Sequence, residues 1–119
     1  MKRIAFIDLG SNSVRFVIYE ISKTGSYRLI YQEKNSVRLS ENMWGTQELT
    51  NEAMERSLRS LKAFVHMAKA MGVDTIKAVA TAAVRLAKNG DIFIKTVKEQ
   101  TGLDLECIAG EEEARLGFL

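Results

Sequence analysis

Residues 4 to 18, IAFIDLGSNSVRFVI, set two apolar runs on either side of Asp8 to Ser13, a stretch in which Leu9 is the only large residue. Runs rich in Ile, Val and Phe favour extended backbone, and so short a break joins neighbouring strands. The pattern predicts strands over Arg3 to Leu9 and Val14 to Ile21. A hairpin needs little more than a glycine and a turn former at its tip. Here an acid, Gly10, two serines and an asparagine crowd the same turn. Small residues let an anion approach the main chain, and the successive N–H groups of Gly10, Ser11, Asn12 and Ser13 can form an anion nest. Asp8 would repel a phosphate there unless a divalent cation or water lay between them, and Mg²⁺ held by one carboxylate plus phosphate oxygens is the usual arrangement. The competing reading is a plain hairpin whose Asp and Asn cap the turn. The stretch fits neither GxxxxGK[ST] nor GxGxxG.

Gly25-Ser26 marks a second turn, and Tyr27 to Val37 alternates as a third antiparallel strand. Residues 38 to 49 have no clean period; Trp44 in that stretch is expected to anchor the loop on the core rather than to serve a ligand. A long helix is expected from Thr50, a good N-cap, with Glu52 in the first turn and Gly72 as terminator. Met54, Leu58, Leu61, Val65 and Ala68 form one apolar face, while Glu52 with Arg56 and Glu55 with Arg59 are i,i+4 pairs elsewhere. His66 stands one step off that stripe and reads as solvated. Thr75 to Ala80 then reads as a strand, Asp91 to Gln100 as a helix closed by Gly102, Leu103 to Ile108 as a strand, and GEEEARLGFL as the start of a helix. Three meandering strands followed by helix-linked strands imply an α/β fold, with a mixed five-stranded sheet and helices on its faces.

At 119 residues this is one domain with a real core. Hydrophobic residues at 46% and charged residues at 27% are a soluble globular balance. The apolar stretches fall far short of the ~18 residues a membrane span requires. MKRIAFIDLG lacks the pattern of a signal peptide, so cytoplasm is the expected compartment. Cys107 can support no disulfide framework and reads as a small core residue. The net charge of +2 is dispersed, which gives no argument for nucleic acid.

Chemistry has two further candidate locations. Thr81 can cap a helix after the strand ending near Ala80, a helix N-terminus there is an anion site, and Arg85 one turn on could reach a phosphate bidentately. The plainer alternative is a solvated Arg85 beside Lys88. Glu111-Glu112-Glu113 follow Gly110 at another strand-to-helix junction. They read either as an ordinary acidic helix start or as the source of a general base that activates water for attack on phosphorus.

Together IDLGSNSVRFVIYEI, AVATAAVRLAKNG and IAGEEEARLGFL resemble the N-terminal domain of the exopolyphosphatase / guanosine pentaphosphate phosphohydrolase (Ppx/GppA) family along the full length. The first motif is shared more loosely across the actin–Hsp70–sugar kinase superfamily, whereas ATxAxR followed by GxEEARL is much more specific. The resemblance implies an RNase H-like domain, the first of two that close over a phosphate cleft. It implies that Gly10 to Ser13 form the first phosphate loop with Asp8 oriented to Mg²⁺ and water. Arg85 becomes the phosphate-contacting arginine, Thr81 its motif companion, Glu113 the catalytic base and Glu112 the second choice. Ala109 replaces a serine common before that glycine, a mild departure. The family's second glycine-rich loop, of the DxGGGS kind, does not occur in this sequence. The parent protein is therefore expected to be longer, with a C-terminal domain as partner, and this chain alone to hydrolyse polyphosphate poorly or not at all.

The implied reaction is release of terminal orthophosphate from inorganic polyphosphate, with guanosine pentaphosphate as the alternative substrate and nothing in the sequence separating them. The implied partners include no DNA and no membrane; a homodimer is compatible with the resemblance. A kinase or ATPase of the same superfamily and a non-catalytic phosphate- or nucleotide-sensing module are the rival readings, and the ATxAxR and EEARL motifs count against the first.

Overall fold

The computed structural model describes residues 2–108. Its strands and helices follow in the order β1 (Lys2–Leu9), β2 (Ser13–Ile21), β3 (Tyr27–Ser36), α1 (Asn51–Ala70), β4 (Thr75–Ala80), α2 (Ala82–Leu86), α3 (Gly90–Thr101) and β5 (Leu105–Cys107). The five strands form one mixed sheet in the order β3-β2-β1-β4-β5. β1, β2 and β3 meander antiparallel, while β1, β4 and β5 run parallel. A turn too tight for a crossover forces the first arrangement, and the helical connections permit the second.

Strand alternation decides which sheet face is dry. Ile7 lies opposite Phe16 on β2 and opposite Ala78 on β4, and all three are buried. α1 covers this face: Phe64 stacks on Phe16 with ring centroids 4.7 Å apart and planes 12° from parallel. Leu58, Leu61, Val65 and Ala68 of the expected stripe are buried, and Met54 packs at its margin. Phe93 and Val97 of α3 complete the same core. The other sheet face is aromatic, with Phe6 edge-on to Tyr19 and Tyr19 edge-on to Tyr27.

Local signals set the helix ends. Thr50 Oγ1 accepts from the Ala53 N–H at 3.1 Å, which satisfies one of the first-turn donors. Gly102 takes the left-handed conformation, φ 80°, that closes α3. His66 is exposed, in keeping with a solvated side chain. Arg56 does not simply decorate the helix surface: it donates to the carbonyls of Val37 and Arg38 and pairs with Glu41.

Two readings of the sequence need correction. Trp44 is 63% exposed; its neighbour Met43, fully buried, anchors the loop instead. An unbranched Met fits an irregular gap that a rigid indole does not. Cys107 is exposed because β5 is a three-residue edge strand, and the covered face ends at Leu105.

Candidate functional site

Parallel strands deliver their C-terminal ends to one edge of the sheet, where loops can meet. Leu9 pairs with Ala80, and Ala80 pairs with Cys107, so β1, β4 and β5 finish level. The chain stitches these ends together: the Thr81 N–H donates to the Leu9 carbonyl at 3.1 Å and the Ile108 N–H to the Ala80 carbonyl at 3.0 Å. The Asp8–Ser13 turn, Thr81 and the exit from β5 therefore share one rim.

Within the turn, Gly10 N–H donates to the Ser13 carbonyl at 3.0 Å. A Cβ on Gly10 would lie 3.3 Å from that carbonyl oxygen and 3.9 Å from Thr81 Oγ1. Glycine thus lets the turn close tightly on itself, with Thr81 Oγ1 at ordinary contact distance. The turn's outward carbonyls are occupied: Asn12 accepts from the N–H groups of Val37 and Arg38 at 3.0 and 2.8 Å, and Ser11 from Ser40 at 3.0 Å. Segment 37–40 therefore fixes the turn from behind, and Arg56 fixes that segment in turn. Asp8 is the penultimate residue of β1, half-buried, with its Oδ1 atom removed from solvent.

Thr81 is 8% exposed and occupies the N-cap position of α2, but its side chain makes no capping bond to the helix. The expected cap is absent because backbone at φ −113°, ψ −143° departs from the extended geometry usual for a capping residue. α2 itself has only five residues, too short to carry much dipole, so its N-terminus adds little to anion binding. The guanidinium supplies the positive charge instead. Arg85 is largely exposed and donates from Nη1 to the Ile108 carbonyl at 2.7 Å, which carries its head group back over the sheet edge to the exit of β5.

Cys107 adjoins this rim. Its thiol pKa is pushed up, first by loss of hydration and then by Asp91, with Arg85 opposing. A raised pKa keeps the thiol protonated at neutral pH and argues against a nucleophile. Glu112 and Glu113 lie outside the described residues.

Sequence reasoning missed the residues that hold this rim in place. Asn89 clasps the backbone of Leu49 with both ends of its amide, accepting from N–H at 2.8 Å and donating to C=O at 3.0 Å. Gly90 lies against the α2 backbone: a Cβ there would fall 2.2 Å from the Val84 carbonyl oxygen. The Asn-Gly dipeptide was the available signal, a turn former read only as part of a motif.

A β3-β2-β1-β4-β5 sheet with its dry face under helices is an RNase H-like domain. Comparison with known proteins narrows this. The chain matches the Ppx/GppA phosphatase family over residues 17–119, and it belongs to that family. It is 44% identical, over 97% of its length, to the guanosine-5'-triphosphate,3'-diphosphate pyrophosphatase of Pseudoalteromonas atlantica, of which it covers 23%. The crystal structure of an Aquifex aeolicus Ppx/GppA family member is similar with a TM-score of 0.93 and 35% identity, over 98% of this chain and 38% of that one. An exopolyphosphatase from Cytophaga hutchinsonii gives 0.91 and 32% identity, over 98% and 37% respectively. The chain thus spans less than half the length of each of these relatives.

Proposed function

We propose that this chain supplies one wall of a phosphate cleft in which a terminal phosphoanhydride bond is hydrolysed, releasing orthophosphate from inorganic polyphosphate or from guanosine pentaphosphate. The observation that carries the reading is the meeting of the Asp8–Ser13 turn, Thr81 and the Arg85 guanidinium along one sheet edge. Family membership supports the reaction class. The names of relatives point both ways on substrate, since one is a guanosine phosphate pyrophosphatase and another an exopolyphosphatase.

In this reading the turn's hydroxyls and its N–H groups beyond Gly10, whose own N–H is spent on the Ser13 carbonyl, bind the terminal phosphate, and Arg85 stabilises its equatorial oxygens as charge develops. Glu113 takes the proton of the attacking water, with Glu112 as second choice. Phosphoryl transfer draws most of its rate from such positioning and charge stabilisation rather than from covalent chemistry. Asp8 fits a Mg²⁺ ion as the single protein carboxylate, the remaining ligands being phosphate oxygens and water. Among the described residues no group of three or more His, Cys, Asp or Glu side chains could hold a metal by itself. When bound, Mg²⁺ would neutralise charge on the phosphates.

The test is Glu113→Gln in the longer parent protein, assayed for orthophosphate release and, separately, for polyphosphate binding. Hydrolysis should be lost while binding persists. Surviving hydrolysis would remove Glu113 from the role of base.

A further inference from the structure

We infer that Trp44 is a stacking platform for the nucleobase of a nucleoside polyphosphate whose phosphates occupy the Asp8–Ser13 turn, and that it sets the preference for nucleotide over bare polyphosphate. This rests on the phosphate-site reading above.

The loop that carries Trp44 bridges the two walls of the rim. At one end Ser40 N–H is bonded to the Ser11 carbonyl in the turn; at the other, Lys88 N–H is bonded to the Gln47 carbonyl at 2.8 Å, three residues beyond Arg85. Trp44 is four residues along the chain from Ser40, a span of at most about 14 Å, so the indole lies within reach of a base attached to phosphates held at the turn.

The loop is also rigid enough to present a ring. Met43 is fully buried, its N–H bonded to the Ser40 carbonyl at 3.1 Å, and the Gln47 N–H is bonded to the Met43 carbonyl at 2.6 Å. Arg38, Asn42 and Gln47 have φ of 46°, 59° and 62°, values that side-chain-bearing residues rarely adopt. Such conformations persist only where surrounding bonds over-determine them, and they concentrate at ligand-binding sites. Against this fixed backbone Trp44 stays 63% exposed. Lys88 is exposed on one flank, while Arg38 on the other is paired with Glu41 at 3.0 Å. An exposed indole on a loop tied to the turn suits a planar base, because stacking is available to any nucleobase and absent from polyphosphate.

Trp44 is the only tryptophan in the chain, so its emission reports on this position alone. The chain is titrated with GTP and with tripolyphosphate, each with Mg²⁺, while calorimetry records binding. GTP should quench the emission, and tripolyphosphate should bind without changing it. Trp44→Ala should weaken GTP binding about tenfold and leave tripolyphosphate binding unchanged, with Trp44→Phe restoring most of the loss. If GTP binds with the emission unchanged, or if Trp44→Ala weakens both ligands equally, the stacking role is overturned while the phosphate site stands. If neither ligand binds, the phosphate site fails and the stacking role fails with it.

Discussion

Gly90→Ala separates a local view of this chain from the three-dimensional one, because the two give opposite signs. Gly90 opens α3, and alanine is the better helix former by up to about 1 kcal/mol, so propensity alone predicts a gain. The structure predicts a loss. A Cβ at Gly90 would lie 2.2 Å from the Val84 carbonyl oxygen and 3.3 Å from its carbon, both of them backbone atoms that no rotamer change can move. Ordinary contact begins at 3.4 Å, so α2 and α3 must separate by about 1 Å. Overpacking of this kind costs about 1–3 kcal/mol, and backbone-against-backbone contact belongs at the upper end. For a domain of this size that corresponds to a fall in Tm of roughly 8–12 °C by circular dichroism. Arg85 follows Val84, so the same shift disturbs its 2.7 Å bond to Ile108, and phosphate affinity should fall together with stability. Gly45→Ala is the control, since nothing lies within 4 Å of a Cβ there. A Gly90→Ala chain as stable as the unmutated one would refute the packing of α2 on α3 described above.

Arg85→Ala should weaken tripolyphosphate binding about ten- to a hundredfold by calorimetry, and Arg85→Lys should recover only part of it, because lysine keeps the charge without the fork. Thr50→Ala removes the cap on Ala53 N–H and should lower stability by about 1 kcal/mol in urea titration. Glu20, hydrogen-bonded to Arg28 and Arg3, titrates below its ordinary value of 4.5. A carboxylate depressed in the folded state contributes stability above its unfolded pKa, and that contribution disappears as pH falls through the folded value. Denaturation midpoints should therefore decline below about pH 4.5, and Glu20→Gln should flatten that decline. The raised pKa of Cys107 predicts slow alkylation at pH 7 that quickens at alkaline pH; fast reaction at neutrality would contradict its protonated state.

Much of this architecture is legible in the chain because burial and periodicity agree. Phe16, Ile18, Ile7 and Ala5 alternate in strands, and Leu58, Leu61 and Val65 recur with helical spacing, so each side chain's face follows from its position. The meeting of the turn with Thr81 and Arg85 is legible too, through strand ends and motifs. What sequence hides is the second layer. Nothing in Arg56 announces that it will hold the Val37 and Arg38 carbonyls, since its i,i+4 neighbour Glu52 offers an equally ordinary partner. The choice between Met43 and Trp44 as loop anchor depends on the shape of the gap, which only the packed core defines. Cys107 turns outward because an edge strand stops early, a boundary effect outside any local pattern.

The central claim is that the Asp8–Ser13 turn and its companions at the sheet edge form an anion site. The most direct measurement is the change in backbone amide NMR shifts of the chain on titration with tripolyphosphate and Mg²⁺. The account predicts saturable shifts concentrated at Gly10, Ser11, Asn12, Ser13 and Thr81, with the distant Gly25 turn unmoved. Shifts spread over the exposed lysines, or none in the turn at saturating ligand, would contradict it.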